Sequence, residues 1–557
     1  MSHHQCLNKS GYIVKKDLLG DQTVKQIKKD LTVSPIVIKA YQDFVKPIEF
    51  EIFQESPNYL YVPRFYGITK FGTPRKNLLQ LTSPINLKFV YQMLSHQLTA
   101  YQNTSKTLQE IGGGVLQLPC GYGKTAIAIK IAIDLGHKTL IVVNKECLMD
   151  QWAESISKFT GGQARIGIVQ QDKAEVADRD FVIAMLHSLS KKEYPPNLFD
   201  DIGLCIADEV HHLGSEMFSQ ALPKMASKYM LGLSATPRRK DGLSKVFYSY
   251  IGELCHSERR SGSNRVLVKR FKLSSQSPLY ETLYMSNGIK NTVAMITNIA
   301  KYDVRTAFIV ETIRGLMQQD RKILLLSGRR DHLEQIYEQL TKAKIITSKG
   351  KPLTYGYYYG NQGGNKKKHK QMLAESAKCD VVLGTHSIAS EGLDLPDLNT
   401  EIIATPMTEV EQSVGRILRK FHTVNPIVVD LVDLFGNFSK QASLRAKFYK
   451  DEEYEIQDMK LPLGNEIRDL QPFMNEIKDY LCNTDFKQPK FMSHDDDGDE
   501  SQVKKPAFGR CLLDDEDTLP TVPISKTKAS VPIPVSTPTK SSASTKASML
   551  KPQVCLL

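Results

Sequence analysis

One short segment sets the organisation of this chain, and it reads Leu116-Gln117-Leu118-Pro119-Cys120-Gly121-Tyr122-Gly123-Lys124-Thr125. The apolar run before its glycines, 115–118, predicts a buried strand, and the apolar run after them, 126–133, predicts a buried helix. A strand, a turn with Gly-Lys-Thr and a helix are the context of a phosphate-binding loop. In such a loop backbone N–H groups surround the phosphates, and the helix N-terminus adds a positive dipole end. The sequence therefore predicts a nucleotide-binding site, with an ordinary glycine turn beside a surface lysine as the alternative.

The residues of this loop have separate expected roles. Lys124 would reach the β- and γ-phosphates of a triphosphate, and the Thr125 hydroxyl would be a ligand of Mg²⁺. Leu118 stands where the usual pattern has its first glycine, which is a departure from that pattern. The predicted nucleotide contacts in the loop are Leu118, Pro119, Cys120, Gly121, Tyr122, Gly123, Lys124 and Thr125.

The composition excludes several classes of protein. Of the 557 residues, 41% are hydrophobic and 24% are charged, which is typical of a globular protein, and the length favours three or four domains. No apolar run reaches the length of a membrane span, and the first residues lack an apolar secretory segment. The nine cysteines are scattered without a Cys-x2-Cys pair, which argues against zinc and disulfides. We therefore expect an intracellular protein in a reducing compartment, with no membrane partner.

The net charge indicates the kind of partner. It is +12, with a pI of about 9.0, which favours a polyanion such as nucleic acid. An acidic run at 495–500 offsets part of the positive charge, so the rest of the chain is more basic than the total.

Changes of pattern divide the chain into four regions. Residues 1–85 predict a small α+β module. Residues 86–255 and 256–482 each alternate short apolar strands with helices, which predicts two tandem α/β domains with parallel sheets. The polar stretch 253–264 is the expected connection, and the second domain is expected to end in helical sequence. Residues 483–557 are rich in Ser, Thr, Pro and Lys, and we expect a disordered tail because they can bury little apolar surface.

Two acidic residues follow a predicted strand of the first α/β domain, in the run Ile206-Ala207-Asp208-Glu209-Val210-His211. Hydrolysis of a γ-phosphate requires Mg²⁺ held by a carboxylate and a group that activates water. Asp208, at the strand end, suits the metal, and Glu209 suits the general base. An isolated Asp-Glu pair is usually a surface turn, but a phosphate loop upstream makes this pair the expected second half of the site.

Three further groups of residues lie after predicted strands or on a predicted helix. The hydroxyls of 234–236 would contact the acidic pair, although a helix cap before a proline explains them equally well. Arg416 and Arg419 would share one helix face and stabilise charge on the γ-phosphate, or simply face solvent. Asp394 would accept a hydrogen bond from the ribose, and Thr385 would touch a phosphate backbone, unless both belong to an ordinary polar loop.

Taken in this order, these segments resemble the motifs of superfamily 2 helicases of the Asp-Glu-x-His type. The corresponding segments are 121–125 for motif I, 208–211 for motif II, 234–236 for motif III, Thr385 with 391–394 for motif V, and 412–419 for motif VI. The resemblance covers about 90–450 and implies two RecA-like domains that hold ATP and Mg²⁺ between them. The family accepts a residue other than glycine at the Leu118 position, so that departure no longer counts against the loop.

The resemblance implies additional contacts. Gln97, in Leu94-Ser95-His96-Gln97, corresponds to the glutamine that reads adenine, and Gly392 and Gln412 correspond to further nucleotide contacts. A segment similar to motif Ia, which touches the nucleic-acid backbone in the family, is formed by Asn144, Leu148, Gln151 and Trp152.

Three segments narrow the resemblance. The runs 118–121 and 234–242 are similar to XPB-type DNA helicases, and 61–67 is similar to helicases of large cytoplasmic DNA viruses, including the poxvirus transcript-release helicases. This similarity implies an ATP-dependent DNA helicase or translocase in viral transcription or genome handling, with transcription machinery as a partner. A viral origin would place it in the host cytoplasm and in the virion. The alternatives are an RNA helicase or ribonucleoprotein remodeller, and a nucleic-acid-tethered scaffold with a degenerate ATPase.

Overall fold

The computed structural model describes residues 6–36, 47–79, 84–258, 265–360, 365–387, 395–420, 422–484 and 486. They form a small N-terminal module and two α/β domains, here called the first lobe (84–258) and the second lobe (265–484). The predicted tail at 483–557 lies outside the described residues, apart from 483, 484 and 486. Parallel sheets in both lobes confirm the predicted fold class.

The N-terminal module is built on a five-stranded sheet with the order β5-β6-β2-β1-β7 and a separate β3-β4 pair. Its elements are β1 (Cys6–Asn8), β2 (Gly11–Lys15), α1 (Asp21–Leu31), β3 (Thr32–Val33), β4 (Phe50–Glu51), β5 (Gln54–Glu55), β6 (Tyr59–Val62), α2 (Arg64–Phe71) and β7 (Lys76–Asn77). The aromatic residues after β6 start helix α2, a regular helix at that position. Phe65 is buried there, and Gly67 lies so close to the Tyr12 ring that no larger residue fits without displacement.

The first lobe contains an eight-stranded sheet with the order β11-β10-β12-β9-β13-β14-β8-β15. Its elements are α3 (Ser95–Ile111), β8 (Gly113–Gln117), α4 (Lys124–Leu135), β9 (Thr139–Val143), α5 (Glu146–Phe159), β10 (Ile166–Gln170), β11 (Lys173–Ala174), β12 (Phe181–Met185), α6 (Leu186–Lys191), β13 (Leu204–Ala207), α7 (Glu216–Ser219), β14 (Tyr229–Ser234), α8 (Ser244–Ile251) and β15 (Leu254–Ser257). All neighbouring pairs are parallel except β10-β11. Strand β15 pairs with β8, so the polar stretch predicted as a connection begins with an edge strand.

The central strands of this sheet are buried, which explains why they could be predicted from apolar runs in the sequence. Every residue of β9, β12 and β13 is buried, as expected for parallel strands covered on both faces. Helix α4 packs Ile127, Ile131 and Ala132 into the core on one face. The predicted buried strand and buried helix on either side of the glycine turn are therefore confirmed.

The second lobe contains seven parallel strands with the order β18-β19-β17-β20-β21-β16-β22. Its elements are β16 (Leu267–Ser275), α9 (Thr292–Ala300), α10 (Asp303–Leu316), β17 (Ile323–Ser327), α11 (Arg330–Ala343), β18 (Tyr355–Tyr358), α12 (Lys366–Ser376), β19 (Val381–Thr385), β20 (Thr400–Ile403), α13 (Glu411–Val414), β21 (Ile427–Asp433), α14 (Phe438–Asp451), β22 (Glu455–Leu463) and α15 (Met474–Cys482). The predicted helical end of this domain is present as α15, which ends at Cys482, and β22, a strand that was not predicted, extends the sheet beside β16. Its buried residues Met459, Leu461 and Leu463 alternate with exposed ones, which is a strand pattern.

A buried ion pair fixes helix α10 to the second sheet. The Arg305 guanidinium donates from Nε and Nη2 to the two carboxylate oxygens of Asp433, each at 2.9 Å, and from Nη1 to the Ala404 carbonyl at 2.7 Å. Both side chains are fully buried. Removal of either partner alone would leave an uncompensated buried charge, which typically costs about 3–5 kcal/mol.

Arg64 attaches the N-terminal module to the first lobe. Its guanidinium donates to the backbone carbonyls of Ile111, Gly112 and Lys228 at 3.2, 3.3 and 2.8 Å. These carbonyls precede β8 and β14, so Arg64 caps the amino ends of two central strands. Burial lowers the pKa of Arg64 to about 10. The segment 61–67 thus contains a residue with a structural contact to the first lobe.

Candidate active site

The phosphate-loop segment joins β8 to α4 at the carboxyl edge of the first sheet. Gly121 and Gly123 have φ of 80° and 88°, a conformation that side chains with a Cβ adopt rarely. Lys124 begins helix α4, and its Nζ donates to the Leu118 carbonyl at 2.9 Å. The Leu118 side chain is fully buried in the core of the lobe. A leucine is therefore suited to this position because its side chain packs below the loop.

Gln97 supports the loop from helix α3. Its Oε1 accepts from the Leu94 backbone N–H at 3.1 Å, and its Nε2 donates to the Tyr122 carbonyl at 3.3 Å. An added Cβ at Gly123 would collide with the Gln97 amide, so the two residues are in close contact. The amide keeps a second lone pair and a second N–H for another partner.

Asp208 follows strand β13 and is held by a tryptophan. The indole Nε1 of Trp152 donates to Asp208 Oδ2 at 2.8 Å, and Asp208 Oδ1 accepts from the Glu209 backbone N–H at 3.0 Å. Burial and the charge of Glu209 raise the pKa of Asp208 to about 6, while the Trp152 hydrogen bond and the charge of Lys124 oppose this rise. The loop lysine and the strand-end acid, far apart in sequence, thus act on each other electrostatically.

This contact corrects the role that the resemblance implies for Trp152. The side chain is 2% exposed, so it cannot touch a nucleic-acid backbone. The buried face of helix α5 is formed by Met149, Trp152 and Ile156. Their spacing of three and four residues in the sequence is typical of one face of a helix. Leu148 and Gln151 are half-buried on that helix, and Asn144 is largely buried just after β9.

Glu209 occupies a strained backbone position. Its φ of 44° and ψ of 56° lie in the left-handed region, which is uncommon for a non-glycine residue. Its Oε2 lies 3.5 Å from His211 Nδ1 and accepts no hydrogen bond from the described residues. Such backbone strain clusters at functional sites.

The segment after β14 contacts the acidic pair indirectly. Ser234 Oγ lies 3.2 Å from His211 Nδ1 and accepts from the Thr236 backbone N–H at 3.1 Å. Its hydroxyl therefore takes part in a local turn and also reaches the acids through His211. Ser234 also accepts at its backbone carbonyl from the Leu118 N–H at 3.2 Å, which links this segment to the loop.

Arg416 and Arg419 lie opposite the phosphate loop. Helix α13 is followed by a 3-10 turn, Gly415–Leu418, in which residues three apart lie on the same face. A Cβ added to Gly415 would lie 2.6 Å from the Cβ of Cys120, so the second lobe touches the loop of the first. Arg416 is buried. Burial lowers the pKa of Arg419, and the nearby Cys120 and Tyr358 oppose this decrease. Gln412 is half-buried on α13.

Sequence reasoning missed Glu411 at this junction. Burial and the charge of Glu452 raise its pKa to about 7, Lys124 opposes the rise, and Glu209 adds to it. The carboxylate of the second lobe therefore interacts with the lysine and the candidate base of the first. Its only sequence signal was its position beside Gln412.

The segment that resembles motif V is partly described. Thr385 ends β19, and its Oγ1 lies 3.2 Å from Ser387 Oγ. Lys145 Nζ, after β9, donates to the Ser387 carbonyl at 3.0 Å and so bridges the two lobes. Gly392 and Asp394, with the rest of 388–394, lie outside the described residues.

In the described ranges, no group of three or more His, Cys, Asp or Glu side chains is arranged to hold a metal ion. None of the helices in that part of the chain has the length and apolarity needed to cross a membrane.

Two family models match the chain. Residues 90–239 match the model described as type III restriction enzyme, res subunit. Residues 305–421 match the helicase conserved C-terminal domain. The first match contains the phosphate loop and Asp208, and the second contains Arg416 and Arg419.

Viral proteins are among the similar sequences. A protein of Acanthamoeba polyphaga mimivirus, provisionally named an ATP-dependent RNA helicase, is 37% identical over 459 residues, which are 81% of this chain and 86% of that protein. An African swine fever virus protein with the same provisional name is 23% identical over 412 residues, or 68% of this chain and 78% of that protein. A solved structure of S. cerevisiae Dbp5 bound to RNA and ADP BeF3 is 12% identical and covers 70% of this chain and 98% of Dbp5, with a TM-score of 0.45. That last value is too low to carry a functional argument.

Proposed function

This chain belongs to the superfamily 2 helicases, enzymes that use ATP to act on nucleic acid, and we propose that it couples ATP hydrolysis to movement along DNA or to its unwinding. The observation that best supports this proposal is the contact of Gly415 with Cys120. It brings the arginines of the second lobe to the phosphate loop of the first. A site made from two lobes changes when they open or close, and ligand-driven closure is a common way to complete such a site.

We assign the binding of ATP to the loop and the residues around it. Backbone N–H groups of 120–125 and the N-terminus of α4 suit phosphates, and Lys124 has two N–H donors beyond its bond to Leu118. Gln97 suits the adenine edge because its amide keeps one donor and one acceptor. Gln412 is a further proposed contact from the second lobe, as are Gly392 and Asp394, outside the described residues.

The residues also fit Mg²⁺. This ion prefers oxygen ligands and is commonly held by one or two carboxylates together with substrate phosphates. Thr125 on the first turn of α4 and Asp208 at the end of β13 would supply the protein oxygens. Bound Mg²⁺ would neutralise charge on the phosphates. The Trp152 hydrogen bond keeps the Asp208 carboxylate oriented for that purpose.

Glu209 is the proposed general base. Its carboxylate has a buried oxygen that accepts no hydrogen bond from the described residues, so it is available to a water molecule. Arg416 and Arg419 would stabilise the charge that develops on the γ-phosphate. Glu411 interacts electrostatically with Lys124 and Glu209 of the first lobe. It would therefore make the second lobe sensitive to the protonation and ligand state of the first.

The choice between DNA and RNA decides the substrate class. The sequence similarity to XPB-type helicases supports DNA, whereas the relatives from mimivirus and African swine fever virus are provisionally named RNA helicases. We expect single-stranded DNA to stimulate the ATPase more strongly than RNA of matched sequence. Stimulation by RNA alone would replace the DNA proposal with an RNA helicase or ribonucleoprotein remodeller.

A degenerate ATPase on a nucleic-acid-bound scaffold is tested by Glu209→Gln. We expect this isosteric change to lower kcat by at least about 10²-fold, the usual size of general-base catalysis. Glu216→Gln, an acidic residue on the nearby helix α7, is a matched control that should leave kcat unchanged. A wild-type rate no higher than that of Glu209→Gln would sink the enzyme mechanism.

The viral relatives also support a location. We propose an intracellular role in viral transcription or genome handling, in the host cytoplasm and in the virion. Immunoblots of infected-cell cytoplasm and of purified virions test the location. Co-purification with viral RNA polymerase tests the partner. Failure to co-purify with the polymerase would contradict the role in transcription.

A further inference from the structure

A cavity of about 340 Å³ lies in the second lobe, away from the candidate active site. Its lining includes Arg321 and Lys322 just before β17, Lys378 before β19 and Asn399 before β20. These positions are at the amino ends of the parallel strands, whereas Thr385 lies at the carboxyl end of β19. The cavity therefore opens at the edge of the sheet opposite the one that contains Thr385.

The cavity has an excess of positive charge. Five Lys or Arg side chains and three Asp side chains line it. The acidic groups have partners: Asp397 pairs with Lys420, Asp320 pairs with Lys349 at 2.6 Å, and Asp380 accepts from Thr354 N and Oγ1 at 2.9 and 2.7 Å. What remains for a ligand is cationic.

Arg321 is the central feature of this cavity. The residue is 4% exposed, and its Nε donates to Gln319 Oε1 at 2.6 Å, while Nη1 donates to Thr400 Oγ1 and to the Asn425 carbonyl, both at 3.1 Å. Among the described residues no carboxylate pairs with it, and its Nη2 has no acceptor. Burial lowers the pKa of Arg321 to about 10. A buried cation held only by neutral acceptors is costly, and an anion in the cavity would compensate it.

Two lysines would complete the coordination of an anion. Lys322 Nζ donates to the Ala377 carbonyl at 2.6 Å, which leaves two N–H groups of the ammonium. The exposed Lys378 side chain has no hydrogen-bond or ion-pair partner in the described ranges. The Nη2 group of Arg321 and the ammonium groups of Lys322 and Lys378 together provide N–H donors and positive charge, which proteins use to bind phosphate.

We propose that this cavity is a second anion site, which binds a phosphate group with at least three unesterified oxygens. The group is either free phosphate or the terminal phosphate of a nucleic-acid strand, since both present the same oxygens. Lys420 lines the cavity and directly follows Arg419 in the chain. The site is therefore covalently adjacent to the segment that faces the nucleotide, yet distinct from it.

Calorimetric titration of the full-length chain with inorganic phosphate tests the site. Saturating Mg²⁺ and a non-hydrolysable ATP analogue fill the phosphate loop, so that only a second site is observed. We expect one phosphate to bind per chain. Lys378→Glu should bind phosphate at least about tenfold more weakly, because it loses one charge-assisted hydrogen bond. Lys342→Glu, an exposed lysine of α11 outside the cavity, is the matched control and should bind like the wild type. Absence of phosphate binding, or equal binding by Lys378→Glu, overturns the proposal.

Arg321→Gln is a second variant with a larger expected loss. Because Arg321 is buried, the folding of the Arg321→Gln variant is checked by circular dichroism. If that variant does not fold, the test rests on Lys378→Glu alone. The source of the phosphate is resolved with single strands of one sequence that carry a 5′-phosphate, a 3′-phosphate or none. A preference for one phosphorylated strand that Lys378→Glu abolishes assigns the site to a strand end. Equal affinity for all three strands, with phosphate binding intact, assigns it to free phosphate.

Discussion

Trp152 donates a hydrogen bond from its indole Nε1 to Oδ2 of Asp208 at 2.8 Å, from helix α5 to the end of strand β13. The indole is buried and the carboxylate is half-buried, so the tryptophan covers one side of a carboxylate that is still accessible from the other. The hydrogen bond opposes the rise in the Asp208 pKa that burial causes, and it fixes the orientation of the carboxylate. A residue without a direct ligand contact thus sets the geometry of the proposed metal ligand.

Replacement of this tryptophan is expected to weaken the use of Mg²⁺. Trp152→Phe keeps an aromatic ring but removes the donor, which leaves Asp208 Oδ2 without its partner. Loss of such an outer hydrogen bond typically lowers metal affinity by about 10–100-fold. The half-saturating Mg²⁺ concentration of the ATPase should rise by that factor, and kcat at saturating Mg²⁺ should fall less. Met149→Leu on the same buried helix face controls for packing, and an unchanged Mg²⁺ dependence of Trp152→Phe would contradict the prediction.

The contact between Gly415 and Cys120 predicts a second effect. Gly415→Ala adds a Cβ that would lie 2.6 Å from the Cys120 Cβ, so the lobes must separate by a fraction of an ångström or more. Misplacement of about 1 Å can lower a rate by about 10²-fold. We expect the ATPase kcat to fall toward that extent, while unfolding in denaturant changes little.

A double-mutant cycle separates this contact from other causes. Cys120→Gly removes the opposing Cβ, so the double variant should regain part of the activity that Gly415→Ala loses. Gly360→Ala is the control, because a Cβ at Gly360 meets nothing within 4 Å. An additive loss in the double variant would show that the contact between the lobes is not the cause.

The local parts of this site could be predicted from the sequence. Strand β8, the glycine loop and helix α4 are contiguous, so the apolar runs beside Lys124 were sufficient evidence for them. Asp208 could be placed beside the loop because parallel strands bring their carboxyl ends to one edge. Strand β22 was missed although its alternation was present, since the helical stretches on either side dominated the pattern.

Contacts between distant segments could not be predicted. The sequence of Trp152 and Asp208 contains no sign that they pair, although the buried spacing of Met149, Trp152 and Ile156 predicts an inward-facing tryptophan. Glu411 interacts with Lys124 only because the two lobes meet. Packing of one lobe on the other depends on surfaces that no local periodicity encodes.

The two arginines of the second lobe are expected to act on catalysis more than on binding. Arg419→Ala removes a guanidinium near Cys120, and the contribution of arginine fingers is about 10³–10⁵ in kcat. Arg416→Ala should behave similarly, whereas Arg468→Ala, an exposed arginine that pairs with Glu466, should have no effect. Single-turnover hydrolysis measures the chemical step, and a fluorescent ATP analogue measures binding. A large loss of binding with normal single-turnover rates would contradict the proposed role.

Glu401 predicts a pH dependence of stability. It is fully buried on β20, and neither of its carboxylate oxygens accepts a hydrogen bond from the described residues. Burial raises its pKa from 4.5 to about 8; the nearby Ser413 side chain opposes this rise, and the charge of Asp430 adds to it. Between these two pH values the folded state keeps a proton that the unfolded state has lost, so this carboxyl makes stability fall as the pH rises. Its share of the slope approaches about 1.4 kcal/mol per pH unit. Glu401→Gln carries no titratable group and should lose this share, so its stability relative to the wild type should rise from about pH 5 to about pH 8 and stay constant above that. Urea unfolding at pH 5, 7 and 9 measures the effect, and Glu338→Gln on the exposed face of α11 controls for loss of one acidic group. A difference between Glu401→Gln and the wild type that is the same at all three pH values would show that Glu401 is ionised in the folded protein at every pH tested.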